Sequence, residues 1–205
     1  MMQLITNKCK EEEKMTKYCF LDVETSGLDP KENGILQIGC ILEVGGFEKE
    51  FSLKSKPFDS DVIEDGALKV TGFTREEIAD WPSPQVTYNM LIEEFSKFVD
   101  KYDKQDKFMF VGYNAAFDER FVREFFLKNG NKFFGSYFHF PYIDVMTLAA
   151  HILIKKRHQM KDFKLMTVAS EFGIKINITD AHDALYDIKI TREIYKRISN
   201  DFHGE

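Results

Sequence analysis

Apolar runs alternate along this chain with turn-rich polar stretches, and the first such run begins only at Tyr18. YCFLDV (18–23), GILQIGCILEV (34–44) and KEFSLK (49–54) are apolar or alternating segments, the pattern of three consecutive strands. Gly45-Gly46 between the last two marks a tight hairpin. A mixed stretch follows to about residue 83, broken by one short helix in TREEIAD, where Thr74 and Glu77 form a capping-box pair.

From Pro84 the period changes. Val86, Met90, Leu91, Phe95, Phe98 and Val99 recur at helical spacing, FMFVGY (108–113) is strand-like, and Phe117, Phe121, Val122, Phe125 and Phe126 line another helix that stops near Gly130. A short strand at YIDV (142–145) leads into MTLAAHILI, and a helix from about Leu165 to Phe172 is closed by Gly173. The last helix, about 183–200, sets Leu185, Ile188, Ile194, Tyr195 and Ile198 on one side. This order predicts an α/β fold: a five-stranded mixed sheet, three antiparallel N-terminal strands and then two parallel ones, flanked by helices. Residues 18–200 read as one domain, with a polar, loosely ordered extension at 1–17 and a tail at 201–205.

Composition narrows the setting. The cysteines, Cys9, Cys19 and Cys40, are odd in number and lack CxxC spacing, which suggests neither a disulfide framework nor a zinc site and suits a cytoplasmic protein. No apolar run approaches the roughly 18 to 20 residues of a membrane span, and no signal-peptide core is visible. The net charge of −6 argues superficially against a nucleic-acid partner. Divalent cations would cancel part of it, and Lys155, Lys156, Arg157, His158, Lys161 and Lys164 form either a local basic patch or a solvated helix end.

Candidate chemistry sits in three separated patches. In FLDVETSGL, side-chain alternation points Phe20, Asp22 and Glu24 to one face of the first strand and Cys19, Leu21 and Val23 to the other. The two carboxylates also occupy a strand's carboxyl end, where α/β sheets place their ligands. Alone, a D-x-E triplet is expected about once by chance in a chain this acidic. Asp118 in YNAAFDERF falls at the start of a helix, where an acid also serves the helix dipole, and Asn114 is a matching N-cap. His182 and Asp187 in AHDALYDI are five residues apart, about 140° around a helix, so they share a cleft only if His182 precedes the helix start. Asp180 and Asp183 are both plausible caps there.

The ordered set D-x-E, N-x-x-F-D roughly ninety residues later, and H-x-x-x-x-D near the C-terminus resembles the DEDDh exonucleases, the DnaQ-like superfamily of 3′ to 5′ nucleases that includes RNase T and the DNA polymerase III epsilon exonuclease domain. LDVETSGLDP, LKVTGFTREEI, GYNAAFD and AHDALYDI carry the likeness, with YIDVMTLA and KLMTVASEFGI between the second and third motifs. Tyr113, where many members have histidine, and the polar extension are departures, and neither touches an expected metal ligand.

The resemblance implies an RNase H-like fold with two Mg²⁺ or Mn²⁺ ions held by Asp22, Glu24, Asp118 and Asp187. His182 would then be the general base for attack of water on the terminal phosphodiester, releasing a nucleoside 5′-monophosphate. Leu28 and Phe73 match positions that wall the terminal nucleotide in relatives, although core packing is the plainer account of Phe73; Thr25 and Asn114 stand beside the ligands as further substrate contacts. The expected partners are single-stranded DNA or RNA 3′ ends, with a homodimer or a polymerase partner left open. Three functions are consistent with this: a stand-alone exonuclease, favoured because the chain ends 18 residues after Asp187, a polymerase proofreading subunit, and an inactive binding module. The last would be expected to have lost a ligand, and all five positions are filled.

Overall fold

In the computed structural model, residues 16–177 and 183–203 are described, with side chains to residue 200. Five strands form one mixed sheet in the order β3-β2-β1-β4-β5: β1 (Lys17–Thr25), β2 (Ile35–Val44), β3 (Phe47–Lys54), β4 (Phe108–Gly112) and β5 (Ile143–Asp144). β1–β2 and β2–β3 are antiparallel, and β1–β4 and β4–β5 are parallel. The expected mixed sheet is therefore present. Gly45 and Gly46 take φ of 56° and 83°, the left-handed pair that a two-residue hairpin needs.

Helices cover both faces. Cys19, Leu21 and Val23 of β1 join a core with α3 (Pro84–Ser96) and α4 (Ala115–Lys128). Phe20 joins a second core with α5 (Val145–Ile152), α6 (Leu165–Glu171) and α7 (Ala184–His203). Strand parity thus separates two apolar cores. The phenylalanines fill the first: Phe95, Phe108, Phe110 and Phe138 meet tilted or edge to face, the arrangement their quadrupoles favour.

Three local expectations are corrected. On α3 the buried face is Thr87, Tyr88, Leu91 and Phe95, whereas Val86 and Met90 are exposed. Tyr88 wins a core place because its ring packs on Phe125 and Phe126 while its hydroxyl accepts from Asn131 Nδ2 at 2.6 Å. The strand expected at 142–145 is paired only over Ile143 and Asp144 before α5 begins. A helix not foreseen, α1 (Asp65–Thr71), precedes α2 (Arg75–Ala79). α1 buries no residue and carries Gly66 and β-branched Val70 and Thr71, so neither periodicity nor propensity marks it. α2 has the full capping box of Thr74 and Glu77.

Candidate active site

Asp22 and Glu24 project from the carboxyl end of β1 on the same face as Phe20. The parallel ladder to β4 ends at Phe20↔Val111, so the β4-side edge of β1 is open from Leu21 onward. Into that opening comes Asp118, in the first turn of α4 and only 3% exposed, whose Oδ1 accepts the Val23 N–H at 3.0 Å. A carboxylate here replaces the missing ladder partner. The turn before α4 is built by Asn114, in the left-handed region at φ 59°. Its side chain makes no capping bond; instead its backbone N–H donates to Asp144 Oδ1 at 3.0 Å.

The third element arrives from the other face. Opposite Asp22 in the β1–β2 register stands Gly39, and a Cβ there would lie 2.2 Å from the Ala184 carbonyl carbon. Glycine lets the first turn of α7 rest on β2 backbone. Opposite Glu24 stands Gln37, whose Nε2 donates to Asp183 Oδ2 at 2.8 Å. Asp183 caps α7: its Oδ1 accepts Tyr186 N–H at 3.0 Å and its carbonyl accepts Asp187 N–H at 2.9 Å. Asp187 is thereby delivered to the β1 carboxylates, and one oxygen each of Asp22, Glu24 and Asp187 lie within 4.8 Å of one another. His182 lies outside the described residues.

Gathering these acids is electrostatically costly. Burial first, then the charges of Asp118, Glu24, Asp187 and Asp183, holds the Asp22 carboxyl well above its usual range. Burial first, then Asp187, Asp118 and Asp183, pushes Glu24 up to about 8. Asp118 also rises to about 8, chiefly through burial, against the lowering effect of the Val23 N–H bond. Carboxylates this close ionise together only when a cation joins them, and an all-oxygen donor set suits a hard divalent ion. Asp22, Glu24 and Asp187 are thus a group able to hold a metal ion.

Beside Glu24 a largely apolar cleft of about 400 Å³ opens between the β1–β2 turn and α1, lined by Thr25, Leu28, Ala67, Val70 and Phe117 among others. Leu28 is 77% exposed at its rim. The turn is stitched to the segment before α1 by Glu64 N–H to Ser26 O (2.8 Å) and Asn33 Nδ2 to Val62 O (3.0 Å). Phe73 stands apart from this lining: its ring meets Trp81 edge-on at 4.8 Å and Lys54 Nζ at 5.2 Å. Val70 and Thr71, a few residues earlier, do line the cleft. Asn114 is likewise not among the residues that line the cleft.

Comparison with known proteins decides the family. The model of an exonuclease family, RNase T, matches residues 19–195, nearly the whole chain. The chain belongs to the RNase T exonuclease family. It is similar to the 3′-5′ DNA exonuclease Cap18 of Escherichia coli, 28% identical over 87% of this chain and 89% of that protein. It is also similar to ribonuclease T of Shewanella frigidimarina, 27% identical over 88% of this chain and 80% of that one. DNA polymerase III PolC-type of Thermotoga petrophila is 29% identical over 88% of this chain, which spans only 12% of that polymerase. Among solved structures, E. coli exonuclease I in complex with a dT13 oligonucleotide superposes with a TM-score of 0.67 at 22% identity, over 91% of this chain and 41% of that one. The RNase H-like, DnaQ-like fold follows from these matches.

For this exonuclease-family chain, sequence reasoning missed Gln37 and Gly39 on β2 and the α1 wall. ILQIGC reads simply as a buried strand, and its polar member and glycine were the only signals in it. The basic residues Lys155, Lys156, Arg157, Lys161 and Lys164 are all exposed, and Lys156 reaches Glu171 at 3.3 Å. Their segment is tied to the site's end of the sheet where Tyr113, next to Asn114, donates its hydroxyl to Phe163 O at 2.6 Å. Among the described residues no helix is long and apolar enough to cross a membrane.

Proposed function

We propose that this chain is a divalent-metal-dependent 3′ to 5′ exonuclease that removes nucleoside 5′-monophosphates from single-stranded ends. The observation that carries the reading is the meeting of Asp22, Glu24 and Asp187 within 4.8 Å beside an open apolar cleft, with Asp118 buried against the same strand. Asp22, Glu24 and Asp187 hold the cations, with Asp118 completing the acidic set. Bound Mg²⁺ or Mn²⁺, two by family likeness, supplies Lewis-acid activation of water and neutralises charge on the phosphate. His182 takes the proton from the attacking water. Leu28, Val70 and Phe117 clamp the terminal base by apolar contact, which is tolerant of sequence. Thr25 Oγ1 donates to Gly27 O at 2.6 Å, so its hydroxyl shapes the rim of that clamp. The exposed lysines and Arg157 near Phe163 attract the phosphate backbone leading to it.

The similarity to Cap18 and ribonuclease T, which the chain matches over most of their length, supports action as a free enzyme. The PolC likeness supports a second reading, proofreading beside a polymerase. Digestion of matched 5′-labelled DNA and RNA oligonucleotides with Mg²⁺, with and without EDTA, tests the proposal. A ladder shortening from the 3′ end, absent with EDTA and absent for D22A, is expected. Full activity of D22A, or cleavage unaffected by EDTA, removes the mechanism.

A further inference from the structure

We infer that Gln37 is a positioning residue for the active centre, acting through Asp183 on the start of α7. The inference rests on the exonuclease reading of the site.

Gln37 is 2% exposed, yet it is not one of the acids that could hold a cation. A buried amide is retained only if its polar atoms are met. Here Nε2 reaches both Asp183 Oδ2 at 2.8 Å and Ser52 Oγ at 3.0 Å, while Oε1 faces the Ala184 N–H at 3.5 Å. Ser52 lies on β3, Gln37 on β2 and Asp183 at the α7 start, so one side chain ties the sheet's outer strands to that helix.

The consequence falls on Asp187. The carbonyl of Asp183 accepts the Asp187 N–H at 2.9 Å, and its Oδ1 accepts the Tyr186 N–H at 3.0 Å. Asp183 thus sets the first turn, and Gln37 holds Asp183. Gly39, two residues along β2, permits the close approach without directing it: a missing Cβ removes a clash, whereas the directional Gln37–Asp183 hydrogen bond favours one seat for the helix's first turn. The register sharpens this, since Gln37 pairs with Glu24 itself, and the same cross-strand pair therefore carries a candidate ligand and the anchor of another.

The test compares wild type, Q37M, Q37E and the swap Q37E/D183N. Q37M keeps the volume and removes both polar atoms. Q37E sets two carboxylates against each other, and the swap restores one donor and one acceptor in reverse order. Mn²⁺ binding is followed by calorimetry, with kcat and KM on a single-stranded oligonucleotide and Tm as companions. Q37M and Q37E are expected to lose roughly ten-fold in Mn²⁺ affinity and in kcat, the upper scale of which is set by outer-shell partners of metal ligands. KM stays within about two-fold, and the swap recovers most of both losses. Should Q37M fail to fold, the comparison of Q37E with the swap carries the same decision. Wild-type Mn²⁺ affinity and kcat in Q37M, or a swap no better than Q37E, overturns the positioning role while leaving the exonuclease reading intact. A wild type that neither binds Mn²⁺ nor digests the oligonucleotide overturns the exonuclease reading and this role with it.

Discussion

Two helices bring an acid to the same strand end from opposite faces of the sheet, and they are seated by different physics. α4 is tied by its own carboxylate: Asp118 bonds the Val23 N–H that the short β1–β4 ladder leaves open. α7 is tied by its neighbours: Asp187 rides on a turn held by Gln37 and admitted by Gly39. Both acids satisfy the same local rule, an acidic residue in the first helical turn. What distinguishes a site from a helix dipole contact is therefore the strand beneath each helix. Asp118 serves in part as a structural acceptor, whereas Asp187 is positioned by a framework that other residues build.

The largest expected effects probe the acids directly. D187A and D118A should each lower kcat on the order of 1,000-fold, and D118A should also lower stability markedly, because it orphans the buried Val23 N–H. Thermal melts in EDTA alongside turnover read both, and a D118A Tm equal to that of the wild type would erase the structural role of Asp118.

Next come the two glycines. A Cβ at Gly39 would meet α7 backbone at 2.2 Å, whereas one at Gly112, before α4, would meet Leu21 O at 3.2 Å. G39A should therefore cost about 3 kcal/mol or more, a Tm drop on the order of 6 to 12 °C, and take activity with it; G112A should cost about 1 kcal/mol. Similar melting temperatures for the two variants would mean that α7 is not seated on β2 as described.

The smallest effect is in pH. Glu24 and Asp118 are raised from ordinary carboxyl values to about 8. Between about pH 4.5 and 8 the folded metal-free protein holds protons that the unfolded chain has released, so this part of its stability falls as pH rises. E24Q removes one such group and should reduce the Tm lost between pH 5 and 8 in EDTA, and D118N less clearly, since it perturbs the Val23 bond as well. Divalent ions displace these protons, so the Tm gain from Mn²⁺ should grow from pH 6 to 8. A gain independent of pH would contradict the raised carboxyls.

Much of this molecule could be read before any fold was known, because strand alternation is local. The parity that sends Cys19, Leu21 and Val23 to one core and Phe20, Asp22 and Glu24 to the other side was legible in six letters. Helix ends were equally local: Thr74 with Glu77, Gly130 at φ 78° and Gly173 at φ 68° follow from backbone chemistry within a few residues. Where two faces of a helix were both plausible, the local pattern failed. Val86 and Met90 turn outward because Tyr88 finds Asn131 and the α4 phenylalanines, contacts set by residues about forty positions away. α1 stayed hidden because it buries nothing, and the packing of Phe73 against Trp81 and Lys54 joins residues about eight and nineteen positions away that no local pattern pairs with it.

The sequence by itself determined the residue types of the site, their order and the face each strand residue takes, since those depend on chemistry and a two-residue repeat. Only the tertiary structure decided which partners seat them. Gln37 and Asp183 are 146 residues apart, and Val23 and Asp118 are 95 apart. Bonds across such separations depend on how sheet and helices close on one another, which no local period encodes.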